Sequence, residues 1–87
     1  MSKQYAFFYL MKNDPEKIRD IIPEHIRYWK DNKPINYSGG PFGDRSGGLI
    51  LFGAKDMETA ADLAMNDPFV VQKVIENKWL KEWIREE

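Results

Sequence analysis

The sequence predicts one α+β domain with the element order β-α-β-β-α-β and two central strands. Three observations carry this. Residues 4–11 (QYAFFYLM) and 48–54 (GLILFGA) are apolar at successive positions, so both faces of each strand are buried. Between them lies a weaker strand interrupted by Ser38, Gly39, Gly40 and Pro41. Two helix-start signals, Asn13-Asp14-Pro15-Glu16 and Asp56-Met57-Glu58-Thr59, follow the two apolar strands.

The first strand, residues 4–11, puts Tyr5, Phe7, Tyr9 and Met11 on one face and Ala6, Phe8 and Leu10 on the other. Asp14 then caps a helix, Pro15 suits its first position, and Glu16 suits its positive end. Ile18, Ile21 and Ile22 follow, then Pro23, which breaks or kinks a helix. The expectation is a short helix over 15–21 and a main helix starting at Pro23, with Ile26 and Trp29 inward and an end near Pro34. Residues 35–42 (INYSGGPF) read as an edge strand, and Gly43-Asp44-Arg45-Ser46-Gly47 as the hairpin loop into the third strand. Asp56 caps the second helix, whose stripe of Met57, Ala60, Ala61, Leu63, Ala64 and Met65 can lie close to a sheet. Asn66-Asp67-Pro68 stops it and starts a short helical turn reaching about Lys73. Residues 74–84 (VIENKWLKEWI) fit a helix by their four-residue spacing and a strand by alternation, and the element order favours the strand.

In the ferredoxin-like arrangement of such elements, strands one and three are central and strands two and four are edges. The composition agrees, because Gly, Pro and charge concentrate in the outer pair. Two helices cover one sheet face, and the other face of the central strands is left apolar and bare. A homodimer, sheet on sheet, is the expected cover.

At 87 residues the chain is one domain over 1–87, and it is 43% hydrophobic, too apolar for disorder. A chain this short buries only roughly 60% of its unfolded surface, which also favours self-association. It has no cysteine, which excludes disulfides, thiolate metal sites and a cysteine nucleophile. A small domain without disulfides fits a reducing compartment, so a cytoplasmic location is expected. Thirteen basic and 14 acidic residues, interleaved, lack the footprint of a nucleic-acid binder. The apolar run Tyr5 to Met11 is too short to span a membrane. Neither a nucleic acid nor a membrane is therefore an expected partner.

Several pieces taken together resemble the YCII-like family of small dimeric α/β-barrel proteins. They are the N-terminal YAFFYLM strand, Pro23-Glu24-His25-Ile26, Ser38-Gly39-Gly40-Pro41-Phe42, Gly47-Gly48-Leu49-Ile50 and Asn66-Asp67-Pro68-Phe69-Val70. Their order and spacing span nearly the whole chain; the aromatic last strand with Trp79 and Trp83 departs from better-known members. In that family a histidine and an aspartate are proposed as the active pair, and those positions match His25 and Asp67 here. The resemblance implies a small enzyme, and elimination of chloride from chlorinated hydroxyquinols is one activity attributed to the family.

His25 is the only histidine. Read as lying in the first turn of a helix that starts at Pro23, it would be kept neutral by the helix dipole and could serve as a general base. The plainer alternative is a packing histidine at a helix start. Asp67 before Pro68 is a common cap-and-first-turn pair, yet one carboxylate oxygen could cap while the other orients His25. Such a pair suits proton abstraction from a phenol or carbon acid, and no serine is placed for acyl transfer. Ser38, Gly39 and Gly40 could open an anion pocket, or form a bulge on an edge strand. Tyr5, Phe7, Tyr9, Trp29, Phe69, Trp79 and Trp83 are core or interface residues or walls of an aromatic cleft; Phe69 and Trp83 are the two singled out as walls. No dinucleotide fingerprint, no phosphate-loop lysine and no metal-ligand spacing occurs, so no cofactor and no metal are expected. The competing functions are a His-Asp proton-transfer enzyme on a small aromatic or enolisable molecule and a non-catalytic dimeric protein that binds such a molecule. A cofactor-independent monooxygenase of the related barrels is a third, and fold alone does not choose.

Overall fold

The computed structural model describes residues 2–86. The elements are β1 (Lys3–Met11), α1 (Pro15–Asn32), β2 (Ser38–Pro41), β3 (Gly47–Ala54), α2 (Met57–Met65), α3 (Pro68–Val71) and β4 (Ile75–Glu82). The four strands form one antiparallel sheet in the order β2-β3-β1-β4, so the two strands with apolar character on both faces are central, as expected. This is the ferredoxin-like α+β arrangement.

Register divides the sheet residues cleanly. Tyr5 faces Phe52, Phe7 faces Ile50 and Tyr9 faces Gly48, all on the helix-covered side. These side chains join Ile21 and Trp29 of α1, Ala60 and Ala64 of α2, Phe69 and Val74 in one buried core. On the opposite side Ala6 faces Leu51 and Phe8 faces Leu49, and Phe8 stacks on Trp79 of β4 at 5.2 Å. No element of the chain covers that side among the described residues.

Three sequence expectations need correction. Ile26, expected inward beside Trp29, is exposed, and only Trp29 of the two is buried. The first helix does not split at Pro23: α1 runs unbroken over 18 residues. Pro23 and Arg19, the residue whose carbonyl loses its helical donor to the proline, are both exposed. Buried Ile21 and Trp29 anchor the helix to the core on both sides of the proline. Asp14 caps the start, accepting from Lys17 N–H, and Lys33 ends the helix in the left-handed conformation at φ 44°. The second strand is also shorter than the predicted 35–42, pairing only over Ser38–Pro41. Ile35 still contributes its carbonyl to Gly53 N–H at 2.7 Å, so the chain approaches β3 before the ladder begins.

The later elements follow expectation. Asp56 caps α2 by accepting from Thr59 N–H, and Asp67 caps α3 by accepting from Phe69 N–H. The last element is a strand, and its register with β1 shifts by a bulge between Leu10 and Met11.

Candidate functional site

A cavity of about 670 Å³ opens between α1 and the β2–β3 side of the sheet. The α1 wall is Pro15, Ile18, Arg19, Ile22, His25 and Ile26, which recur at helical spacing on one face. The floor is Tyr9 and Met11 of β1 with Phe69 of α3. Tyr37, Gly39, Gly40, Pro41, Arg45 and Gly47 close the far side.

Behind His25 stands Asp67, the buried acidic residue at the junction of α2 and α3. Three donors converge on its carboxylate. Phe69 N–H donates to Oδ1 at 2.8 Å, Trp29 Nε1–H to Oδ2 at 2.8 Å, and His25 Nδ1–H to Oδ1 at 2.9 Å. The first two donors have no acceptor capacity, and a carboxylate that accepts from all three contacts requires the imidazole proton on Nδ1. His25 Nε2 then carries the lone pair, and it has no hydrogen-bond partner among the described residues. Phe69 stacks on the imidazole with ring centres 4.1 Å apart and planes 15° from parallel, which fixes the ring plane. The His25 side chain is 14% exposed and lines the cavity, whereas Asp67 is fully buried.

This geometry revises the electrostatics expected for His25. Because α1 begins at Pro15, His25 lies ten residues inside it, roughly 15 Å along the axis from the positive end. The dipole acts within the first turn and does not reach it. The Asp67 carboxylate replaces the helix end as the group that governs the ring. Asp67 also combines its two anticipated roles on one atom, since Oδ1 both caps α3 and holds His25. Its second oxygen binds Trp29, a contact made across 38 residues of sequence.

The other singled-out residues separate. Gly39, Gly40 and Phe69 line the cavity with His25. Ser38 does not; it borders a shallow groove on the other side of the sheet with Phe42, Leu49 and Leu51. Trp83 lies beyond β4, exposed, and its N–H extends the ladder by donating to Gln4 carbonyl at 2.8 Å. Period-2 alternation counted it with the strand, but the chain does not bring it to the cavity.

Four cavity residues with polar side chains are not singled out as site residues in the sequence: Tyr9, Tyr37, Arg19 and Arg45. The phenol of Tyr9 lies over Gly48, where a Cβ would sit 2.6 Å from its hydroxyl, and that of Tyr37 lies over Gly39, where a Cβ would sit 2.8 Å away. The glycines of β2 and β3 thus make room for two hydroxyls. Burial first, then the Asp67 charge, then Tyr37, pushes the Tyr9 phenol well above its ordinary pKa. Tyr37 is raised by burial and by Asp67, so both hydroxyls stay protonated and can donate. The glycine pairs Gly39-Gly40 and Gly47-Gly48 are the only sequence signal for this, and they do not separate a cavity from a filled core.

No group of three or more metal-ligating side chains occurs among the described residues, and no helix there is long and apolar enough to cross a membrane.

The sequence model of the YCII-related domain family matches residues 4–84, nearly the whole chain. No curated protein sequence matches. Among solved structures, the chain is similar to 5-chloro-2-hydroxyhydroquinone dehydrochlorinase (TftG) from Burkholderia phenoliruptrix AC1100, in complex with 2,5-dihydroxybenzoquinone. The TM-score is 0.80 with 17% identity, covering 95% of both chains. At that identity the likeness establishes a shared fold.

Proposed function

The chain belongs to the YCII-related family, and from that premise we propose that it is a small enzyme that moves a proton on a small aromatic or enolisable molecule. His25 is the base and Asp67 its positioning residue. The observation that carries this reading is the Asp67 carboxylate, fully buried and holding His25 Nδ1–H at 2.9 Å while the ring lines an apolar-walled cavity. Nε2 takes a proton from an acidic O–H or C–H. The resulting imidazolium keeps its Nδ1–H on the carboxylate, which lowers the cost of its charge. Phe69, Gly39 and Gly40 bound the space for the substrate. Where the substrate carries a halogen, the electron pair released by the proton expels halide, so HX is eliminated without an oxidant. A dehydrochlorinase with the same fold supports this form of the chemistry.

Two assays test it: chloride release from 5-chloro-2-hydroxyhydroquinone, and exchange of ring protons of hydroxyhydroquinone with deuterated water. His25→Ala should lower the active assay by about 10²–10⁴-fold, the usual contribution of a general base. A variant as active as the wild-type protein would refute the assignment.

For the partner, a second copy of the chain through the open sheet face is the reading the surface supports. Phe8, Leu49 and Leu51 and the Phe8–Trp79 stack lie there without intramolecular cover. Light scattering should give a dimer mass at micromolar concentration and a monomer mass for Leu49→Glu; a monomeric wild-type chain would contradict it.

A further inference from the structure

The charges around the cavity are one-sided. The chain as a whole is nearly neutral, with 13 basic and 14 acidic residues. Yet no acidic side chain lines the cavity, and two arginines do, Arg19 from α1 and Arg45 from the β2–β3 turn. Neither makes an ion pair or a side-chain hydrogen bond among the described residues, where His25–Asp67 is the one ion pair. Arg45 also has φ 66°, the left-handed region that residues with a Cβ seldom adopt. Its turn is held by Asp44 Oδ1, which accepts from Ser46 N–H at 3.0 Å and Ser46 Oγ–H at 2.6 Å. The backbone thus presents a free guanidinium at the cavity from a position where glycine or asparagine is the usual choice.

We infer that Arg19 and Arg45 form an anion clamp at the cavity mouth, and that the substrate is an aromatic or enolisable acid whose carboxylate is remote from the proton His25 removes. Arg19 and His25 lie six residues apart on α1, roughly 9 Å along its axis, and both line the cavity, so a ligand that meets both presents two separated polar groups. Guanidinium recognises a carboxylate with paired donors. Phe69 and the α1 isoleucines hold the ring, and Tyr9 and Tyr37, kept protonated, donate without opposing the ligand's charge. The inference rests on the proton-transfer reading for the ligand's orientation, but its test does not depend on turnover.

The probes are 4-hydroxybenzoate and its neutral isostere 4-hydroxybenzamide, with dissociation constants read by tryptophan fluorescence and by amide shifts. The wild-type chain should bind the benzoate about tenfold or more tighter than the amide, as a charge-assisted pair requires. That preference should shrink as salt rises, and should vanish in Arg19→Met/Arg45→Met. Both arginines are exposed, so the variant should keep the fold, and the salt series on the wild-type chain is independent of it. Equal affinities, a preference that survives in the double variant, or binding of neither probe would overturn the clamp. A carboxylate preference retained alongside an inactive wild-type protein would uphold the clamp and refute proton transfer instead.

Discussion

The helix-covered face of the sheet has two ends built from the same two strands. At one end Tyr5 stands opposite Phe52; at the other Tyr9 stands opposite Gly48, with Phe7 and Ile50 between them. The first end is filled, with Trp29 against Phe52 at 5.4 Å and Ala60 and Ala64 packed nearby. At the second, β3 contributes no side chain, the Tyr9 hydroxyl takes the vacated space, and the cavity opens. The cavity therefore arises by withdrawing side-chain volume from a frame that is otherwise close-packed. Asp67 joins the two ends: one oxygen is anchored to Trp29 in the filled part, and the other holds His25 at the cavity. A rigid core thus orients the one basic ring in the site.

Substitutions should affect the two ends unequally. Large losses are expected at the filled end and at its joint with the cavity; Phe52→Ala should cost about 3–5 kcal/mol in urea unfolding. Asp67→Ala, at the joint, orphans the buried Trp29 Nε1–H and the Phe69 N–H at about 1–3 kcal/mol each, so roughly 2–6 kcal/mol in the same measurement. If the Asp67 variant were as stable as the wild type, the carboxylate would not be joining the two ends.

Tyr9 marks the boundary between the ends through its pH dependence. In the unfolded chain its phenol ionises near its ordinary pKa of 10.0, while in the folded chain it holds its proton well above that. Above pH 10.0 the folded state binds more protons, so stability should be complete below that value and fall as pH rises past it. Tyr28 and Tyr37 shift in the same direction. Tyr9→Phe should make the alkaline fall shallower, and an unchanged slope would place the phenol in ordinary solvent. The smallest effect belongs to the cavity wall: Ile26 is exposed, and Ile26→Ala should change stability by less than about 0.5 kcal/mol. A larger change there would mean that the cavity end is packed like the filled one.

The same contrast separates what is legible in the residues from what is not. The runs QYAFFYLM and GLILFGA are apolar on both faces, and that alone places them at the sheet centre. Asp14, Asp56 and Asp67 sit at caps because the chemistry of a cap is local, and three residues are enough to recognise it. Pro23 misleads because its cost is also local, while the anchoring of Ile21 and Trp29 that overrides it is tertiary. The link from Trp29 to Asp67, the placement of Tyr9 and Tyr37 over glycines, and the lining of one cavity by Arg19 and Arg45 all join distant segments. No spacing rule encodes such contacts. Trp83 shows the converse, since alternation assigns a face but not the point at which a strand ends.

Proton transfer at His25 turns on the proton between its ring and Asp67, and the single histidine makes that proton directly observable. In protein labelled with ¹⁵N histidine, the neutral imidazole should carry its proton on Nδ1, with Nε2 unprotonated, and Asp67→Asn should weaken that bias. A neutral ring protonated at Nε2 in the wild-type protein would contradict the account, because the nitrogen assigned to take the substrate's proton would already be occupied.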